Sequence, residues 1–100
     1  MSRFIAIGAP RPAATRERLQ PLMRAEIEAV WRDYRSGLIR EIYERADSPG
    51  VVMICEAESA AEVEQMLASL PMSDAGLLDT QVIALKPFEM WTTLFAAPVD

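Results

Sequence analysis

The stretch from Gly37 to Ala57 constrains the fold more than any other part of the chain. It predicts two β-strands, Leu38 to Arg45 and Val51 to Ala57, which are rich in Ile, Val and Tyr. The residues between them, Ala46-Asp47-Ser48-Pro49-Gly50, favour a turn, because Pro fixes φ and Gly accepts positive φ. An isolated hairpin is only marginally stable in water, so the flanking segments must cover it.

The segment before the hairpin predicts one strand and one long helix. Arg3 to Gly8 is short and mostly apolar, and the prolines that follow it favour an extended exit. Thr15 to Ser36 repeats apolar residues every three or four positions, which indicates an amphipathic helix. Thr15 suits its N-cap and Gly37 its end. Pro21 predicts either a kink or a regular helix that begins near Gln20.

The segment after the hairpin predicts a second helix and a last strand. Ser59-Ala60-Ala61-Glu62 is typical of a capping box, and the apolar positions that follow keep helical spacing as far as Pro71. Leu77 to Leu85 is rich in branched residues and ends before Pro87, as a strand would. The tail, residues 88–100, carries Trp91 and Phe95, and we expect such a segment to dock on a surface.

The resulting order is strand, helix, strand, strand, helix, strand. It predicts an α+β, ferredoxin-like βαββαβ domain over residues 1–100, with a four-stranded antiparallel sheet and both helices on one face. In both hairpin strands, apolar residues occur on both faces. A sheet with one face in water would instead alternate between apolar and polar residues along each strand. We therefore expect a homodimer with sheets packed face to face. The alternative is that the outer residues are simply half exposed.

Charge and cysteine content limit the partners. The net charge of −5 comes without a basic cluster, which argues against nucleic acid and against an anionic membrane surface. The apolar run from Phe4 to Ala9 is too short to span a membrane and does not have the layout of a secretory signal. Cys55, the single cysteine, is most simply a small buried apolar residue and fits a reducing compartment. We expect a cytoplasmic protein.

The layout resembles the dimeric α+β barrel superfamily and, within it, the muconolactone isomerase-like proteins. The likeness rests on Gly37, the strand pair Leu38 to Ala57, the helix Ala60 to Leu70 with Leu70-Pro71 at its end, and Asp79 near the start of the last strand. The resemblance implies a small-molecule pocket between the sheet and the helices. It also implies a C-terminal segment that closes the pocket, in some relatives from a neighbouring chain. Trp91 and Phe95 are suited to that part.

The residue inventory narrows the chemistry. The chain has no His, which excludes Ser-His-Asp and Cys-His nucleophiles and His-dependent acid/base catalysis. One Cys and no His provide too few of the side chains that bind transition metals. No Gly-rich phosphate loop is present either. We therefore expect neither a metal nor another cofactor. Carboxylates for proton transfer remain, with Arg and Tyr as polar anchors.

Six residues are candidates for a site. Glu41 and Asp79 are the candidate catalytic carboxylates; the alternative for Asp79 is a turn or cap carboxylate. Arg40, between Leu38 and Ile42, is a candidate clamp for a substrate carboxylate, or else pairs with Glu44 or Glu56. The candidate aromatic walls are Tyr43, Trp31 and Trp91, for which the alternative is plain packing.

Strict alternation along a strand places Arg40 on the opposite face from Glu41 and Tyr43. All three line one pocket only if the strand contains a bulge.

Three functions stay open: an isomerase of lactone or aromatic catabolism that uses a carboxylate base, a cofactor-free monooxygenase with an aromatic pocket around Trp31 and Trp91, and a non-catalytic binding or assembly module. For the first two functions we expect a small apolar or aromatic ligand, bound in a pocket with apolar or aromatic walls.

Overall fold

The hairpin forms one side of a four-stranded antiparallel sheet in a computed structural model, which describes residues 1–95. The strands are β1 (Ser2–Pro10), β2 (Ile39–Glu44), β3 (Val51–Ala57) and β4 (Leu78–Ala84). Their order across the sheet is β2-β3-β1-β4, so β1 and β3 are central and β2 and β4 are the edges. This arrangement confirms the predicted ferredoxin-like α+β fold.

The first predicted helix is divided near Pro21. It consists of α1 (Arg16–Leu19), a 3₁₀ turn (Gln20–Leu22) and α2 (Met23–Ser36). Pro21 lies in the 3₁₀ turn, because its ring and its missing N–H are incompatible with the interior of an α-helix. Gly37 ends α2 with φ of +88°, a conformation that glycine adopts without steric cost.

The second predicted helix is α3 (Ala60–Ser69), followed by the one-turn helix α4 (Pro71–Asp74). The Oγ of Ser59 accepts a hydrogen bond from the Glu62 N–H at 3.3 Å, as the capping box predicts. The Glu62 carboxylate accepts from the N–H of Glu58 at 3.0 Å, one residue before the expected donor. Pro71 both ends α3 and begins α4, since proline is well suited to the first position of a helix. The sequence predicts a polar loop over Ser73-Asp74-Ala75-Gly76, and α4 takes up the first half of it.

The core lies between the sheet and α3. β1, β2 and β3 contribute buried apolar side chains on one face, and α3 contributes three more before Leu70 closes the cluster. Of α2, only Ala29 is buried. The main members of this core are Phe4, Ala6, Ile39, Met53, Cys55, Ala57, Val63, Met66, Leu67 and Leu70.

The opposite face of the sheet is also apolar at its centre. The antiparallel register sets Ile5 opposite Ile54 on one side and Ile83 on the other, and Ile7 opposite Val52. These residues alternate with the core-facing ones and are half-buried or exposed. The prediction that both faces of the hairpin strands carry apolar residues is therefore confirmed for β3. It is wrong for β2, whose apolar Ile39 and Ile42 pair with core-facing residues of β3, while Glu41 and Tyr43 lie on the outer face.

The tail continues as a 3₁₀ turn (Glu89–Trp91) and a single helical turn, α5 (Thr92–Phe95). Phe88 packs edge-on against Trp91, with ring centroids 5.1 Å apart, while the aromatic and aliphatic side chains from Phe88 to Phe95 stay exposed. The described chain measures 68 × 28 × 19 Å. Such an elongated shape is expected when the described part of the tail, residues 88–95, extends from a small body as an arm. The predicted docking tail runs to residue 100, so its last five residues lie outside the described part.

Within residues 1–95, none of the helices has the length and the apolar character that a membrane span requires.

Candidate functional site

A groove of about 490 Å³ lies between α2 and the edge strand β2. Its volume is in the range of small-molecule sites. One wall comes from the exposed flank of α2 and the other from four consecutive residues of β2. The lining residues are Ile27, Val30, Trp31, Tyr34, Arg40, Glu41, Ile42 and Tyr43. The groove therefore brings together four of the six predicted site residues.

An irregularity in β2 explains how consecutive residues share one groove. The register with β3 shifts between Ile39, which pairs with Cys55, and Glu41, which pairs with Ile54. The shift displaces Arg40 from strict alternation, as a β-bulge does. This is the condition that the sequence set for Arg40, Glu41 and Tyr43 to line one pocket.

Arg40 lies beside the C-terminal end of α2. A Cβ placed on Gly37 would lie 3.5 Å from Nη1 of Arg40, so the guanidinium passes over this glycine. The negative end of the helix dipole favours a cation there. Of the two alternative partners predicted for Arg40, Glu56 is the one nearby, with Oε2 at 3.9 Å from Nη1. This distance is too long for a hydrogen bond, so the pairing with Glu56 leaves donors of Arg40 available.

Glu41 and Tyr43 form a polar pair in the groove. The Tyr43 hydroxyl donates a 2.6 Å hydrogen bond to Oε1 of Glu41. The bond favours the neutral phenol, so it raises the pKa of Tyr43. Tyr43 thus keeps its proton and fixes one oxygen of the carboxylate. The pair supplies a proton acceptor and a phenolic donor on the same edge strand.

Two rings on α2 form the aromatic wall. Trp31 and Tyr34 stack with centroids 5.7 Å apart and an angle of 21° between their planes. Tyr34 belongs to the repeat of apolar and aromatic residues in this helix, but sequence reasoning did not identify it as part of a site. The signal was available, because residues three apart lie on the same face of a helix.

Asp79 and Trp91 lie elsewhere in the chain. Asp79 is on β4, the opposite edge of the sheet, where Oδ1 accepts a 2.7 Å hydrogen bond from Nε of Arg11. Trp91 is on the extended arm and packs against Phe88. Because β3 and β1 separate the two edges, Glu41 and Asp79 do not converge on one ligand within a single chain.

The inner face of α2 carries two acids that sequence reasoning did not select. An oxygen of Glu26 accepts a 2.9 Å hydrogen bond from the backbone N–H of Met72 in α4. Desolvation raises the pKa of Glu26, partly offset by this bond. Asp33 has one buried oxygen without a hydrogen-bond partner, and desolvation raises its pKa too.

Asp33 also influences Cys55 on β3. Burial, and secondarily the negative charge of Asp33, raises the pKa of Cys55 to about 11. The thiol is therefore protonated at neutral pH and a poor nucleophile, in agreement with the packing role predicted for it. Among residues 1–95, no three His, Cys, Asp or Glu side chains are grouped so that they would hold a metal ion.

The fold and the groove place the chain among the small α+β proteins with a ferredoxin-like sheet. A family profile identifies it more closely: the profile described as muconolactone delta-isomerase matches residues 6–90. The chain therefore belongs to the muconolactone delta-isomerase family. No curated protein sequence matches it.

Two solved structures show the same fold. A muconolactone isomerase is 20% identical, with a TM-score of 0.69, and the match covers 86% of this chain and 92% of the other. The 5-chloro-2-hydroxyhydroquinone dehydrochlorinase of Burkholderia phenoliruptrix AC1100, solved in complex with 2,5-dihydroxybenzoquinone, is 23% identical with a TM-score of 0.67. That match covers 84% of this chain and 93% of the other.

Proposed function

We propose that the protein is an isomerase that moves a proton and a double bond in a small lactone or aromatic catabolite. The observation that carries this proposal is the groove between α2 and β2, where a carboxylate, a guanidinium and aromatic walls meet in a volume suited to a small molecule. Membership of the muconolactone delta-isomerase family supports the substrate class. The chemistry is acid/base and uses no metal or other cofactor.

Glu41 is the residue we assign to proton transfer. Tyr43 occupies its Oε1, so we assign the proton to the other oxygen, Oε2. The carboxylate removes a proton from the ring carbon γ to the carbonyl of the unsaturated lactone, and the electron pair moves into the conjugated system as a dienolate. The same carboxylic acid then returns the proton to the carbon beside the carbonyl, so the double bond has moved and Glu41 is regenerated.

Arg40 and the aromatic residues hold the substrate. Arg40 pairs with the substrate carboxylate through N–H groups that Glu56, at 3.9 Å, leaves available. Trp31 and Tyr43 contact the apolar part of the substrate ring. Asp79 is the second candidate base, and because it lies on the opposite edge of the sheet it would act at this groove only from another chain.

The assembly we propose is a homodimer that covers the outer face of the sheet. Support comes from the apolar centre of that face, where Ile5, Ile54 and Ile83 lie side by side across three strands. The exposed arm supports a second contact, in which Trp91 and Phe95 cover the groove of a neighbouring copy. Such a cover would exclude water from the proton transfer. We place the dimer in the cytoplasm, which fits the free, buried Cys55.

Turnover of muconolactone, followed by ultraviolet absorbance, tests the proposal. Glu41→Gln keeps the size of the side chain and removes the base, so we expect kcat to fall by about a hundredfold or more. Arg40→Gln should mainly raise KM, because it removes the partner of the carboxylate in the ground state and the transition state alike. Asp79→Asn, measured beside them, shows whether the second carboxylate contributes.

The outcomes separate the alternatives. Full kcat in Glu41→Gln contradicts the assigned base. A wild-type protein that binds the lactone in the groove without turnover supports the binding module instead.

The monooxygenase alternative predicts oxygen uptake with an electron-rich phenol, and an oxygen electrode measures that directly. In the described chain Trp31 and Trp91 do not share a pocket, so that alternative requires the arm of another copy.

A further inference from the structure

Glu56 lies between two arginines on the outer face of β3. Its Oε1 accepts a 3.0 Å hydrogen bond from Nε of Arg3 on β1, and its Oε2 lies 3.9 Å from Nη1 of Arg40 on β2. The Glu56 side chain is 23% exposed, against 63% for Arg3 and 53% for Arg40. The carboxylate is therefore the least hydrated member of the group and the one that both cations share.

The charges of this group do not balance. Two guanidinium groups carry two positive charges and Glu56 supplies one negative charge. The contact lengths show which cation is neutralised: Arg3 makes a hydrogen bond, whereas Arg40 is beyond hydrogen-bond distance. Within this group, the guanidinium that Glu56 leaves without a hydrogen-bonded carboxylate is therefore that of Arg40, on the wall of the groove.

Without Arg3, the same carboxylate would neutralise Arg40. Glu56 and Arg40 are on adjacent strands, and a rotation of the glutamate side chain would close the present gap of 3.9 Å to a hydrogen bond. A guanidinium that is already paired binds a second carboxylate less strongly, because the incoming anion must displace Glu56 and is repelled by it.

We propose that Arg3 is a positioning residue of the groove. It holds Glu56 on the β1 side of the sheet, keeps Arg40 available for an anionic ligand, and so selects carboxylates over neutral molecules of the same shape. The inference rests on the proposed function, in which Arg40 binds a substrate carboxylate, and it assigns a role to a residue outside the groove. Arg3 does not touch the ligand; it acts through Glu56.

Benzoate and its neutral isostere benzamide test this selectivity, with dissociation constants measured by NMR chemical-shift titration of the full chain. Arg3→Gln should weaken benzoate binding by about fivefold, the scale of one exposed ion pair, and leave benzamide unchanged. Arg3→Lys keeps the charge and should retain most of the benzoate affinity. Glu56→Gln should tighten benzoate binding by about twofold, because the competing carboxylate is gone.

The double variant Arg3→Gln/Glu56→Gln is the decisive one. If Arg3 acts through Glu56, removing Arg3 has no effect on benzoate once Glu56 is neutral, and the two substitutions are strongly non-additive. A purely long-range effect of the lost positive charge would give additive changes and would overturn the proposal. Arg45→Gln is the matched control, since Nε of Arg45 also lies 3.0 Å from a carboxylate oxygen, Oδ1 of Asp47, and Arg45 does not line the groove. This control variant should change the dissociation constant of neither benzoate nor benzamide.

Failure of this inference and failure of the proposed function give different results. If Arg40→Gln abolishes the preference for benzoate while Arg3→Gln does not change it, the groove keeps its anion clamp and Arg3 has no part in it. If Arg40→Gln leaves benzoate binding unchanged, the clamp itself is refuted. Circular dichroism of each variant confirms that the fold is intact.

Discussion

Helices α2 and α3 each carry an apolar stripe at helical spacing, and the two stripes have opposite surroundings. α3 buries the apolar face that its spacing predicts, with Leu67 only 2% exposed. In α2 the corresponding residues face outward, and Ile27 and Trp31 are 60% and 57% exposed. The inward face of α2 carries Glu26 and Asp33 instead. The two helices therefore use the same pattern for different purposes.

Periodicity in a sequence identifies an apolar stripe but does not show which surface will cover that stripe. The stripe on α3 meets the sheet and stabilises the monomer, because burial of apolar surface is the main favourable term in folding. The stripe on α2 forms the wall of the groove and continues into a second groove of about 560 Å³, lined in part by Met23 and Gln20. Exposed apolar grooves of this kind mark binding surfaces.

Truncation of one residue on each stripe should separate the two helices most clearly. Leu67→Ala should lower the free energy of unfolding by about 3 kcal/mol, because it leaves a cavity in the core. Ile27→Ala should cost less than about 0.5 kcal/mol in the monomer, as for an exposed position. Urea unfolding at low protein concentration measures both. Equal losses would show that α2 buries its stripe in the monomer after all.

A smaller effect is expected at Glu26, where α2 holds α4. Glu26→Ala removes the acceptor of the Met72 N–H and should cost about 1 to 2 kcal/mol. Glu26→Gln retains an oxygen that accepts the same bond, and we expect it to recover most of the loss. Thermal unfolding at neutral pH compares the pair. If the two variants lose the same stability, the hydrogen bond to Met72 does not hold α4.

The caps of the first and second predicted helices give a third comparison. Ser59→Ala removes the 3.3 Å bond to the Glu62 N–H and should destabilise the protein by about 1 kcal/mol. The side chain of Thr15 makes no cap bond in α1, so Thr15→Ala should change stability by less than about 0.3 kcal/mol. Chemical denaturation of both variants measures the difference. A comparable loss at Thr15 would contradict the described N-terminus of α1.

The smallest effect concerns the pH dependence of stability. Desolvation raises the pKa of Asp33, so the folded chain holds this proton more tightly than the unfolded chain. Stability should then fall as the pH rises from the ordinary aspartate pKa of about 4 through the raised value. Asp33→Asn removes this decline and should stabilise the protein by less than about 1 kcal/mol near pH 7, since solvent screens a partly hydrated carboxyl.

Unfolding curves from pH 4 to pH 7 measure the slope in the wild type and in Asp33→Asn. Glu26 contributes a decline of the same sign, so the slope of the variant should be reduced and not zero. An unchanged slope would mean that Asp33 is hydrated in solution.

Sequence reasoning found much of the candidate site through β2. Arg40, Glu41 and Tyr43 are adjacent in the chain, so any groove beside this strand was bound to include some of them. Whether all three share it depended on the register shift after Ile39, which no turn residue marks in the sequence. Glu56 was named only as an alternative partner of Arg40, and Arg3 was not selected, since the contact between Arg3 and Glu56 joins residues 53 positions apart.

The order of the strands and main helices, the break at Pro21, the end of α2 at Gly37 and the cap at Ser59 could all be predicted from the sequence. These features depend on backbone geometry and on bonds within a few residues, so local chemistry is sufficient to define them. The three-dimensional fold was needed to show which face of α2 meets the core, that Asp79 pairs with Arg11 at the far edge, and that Arg3 and Arg40 share Glu56. Those outcomes depend on strand order and register, which place residues distant in the chain side by side.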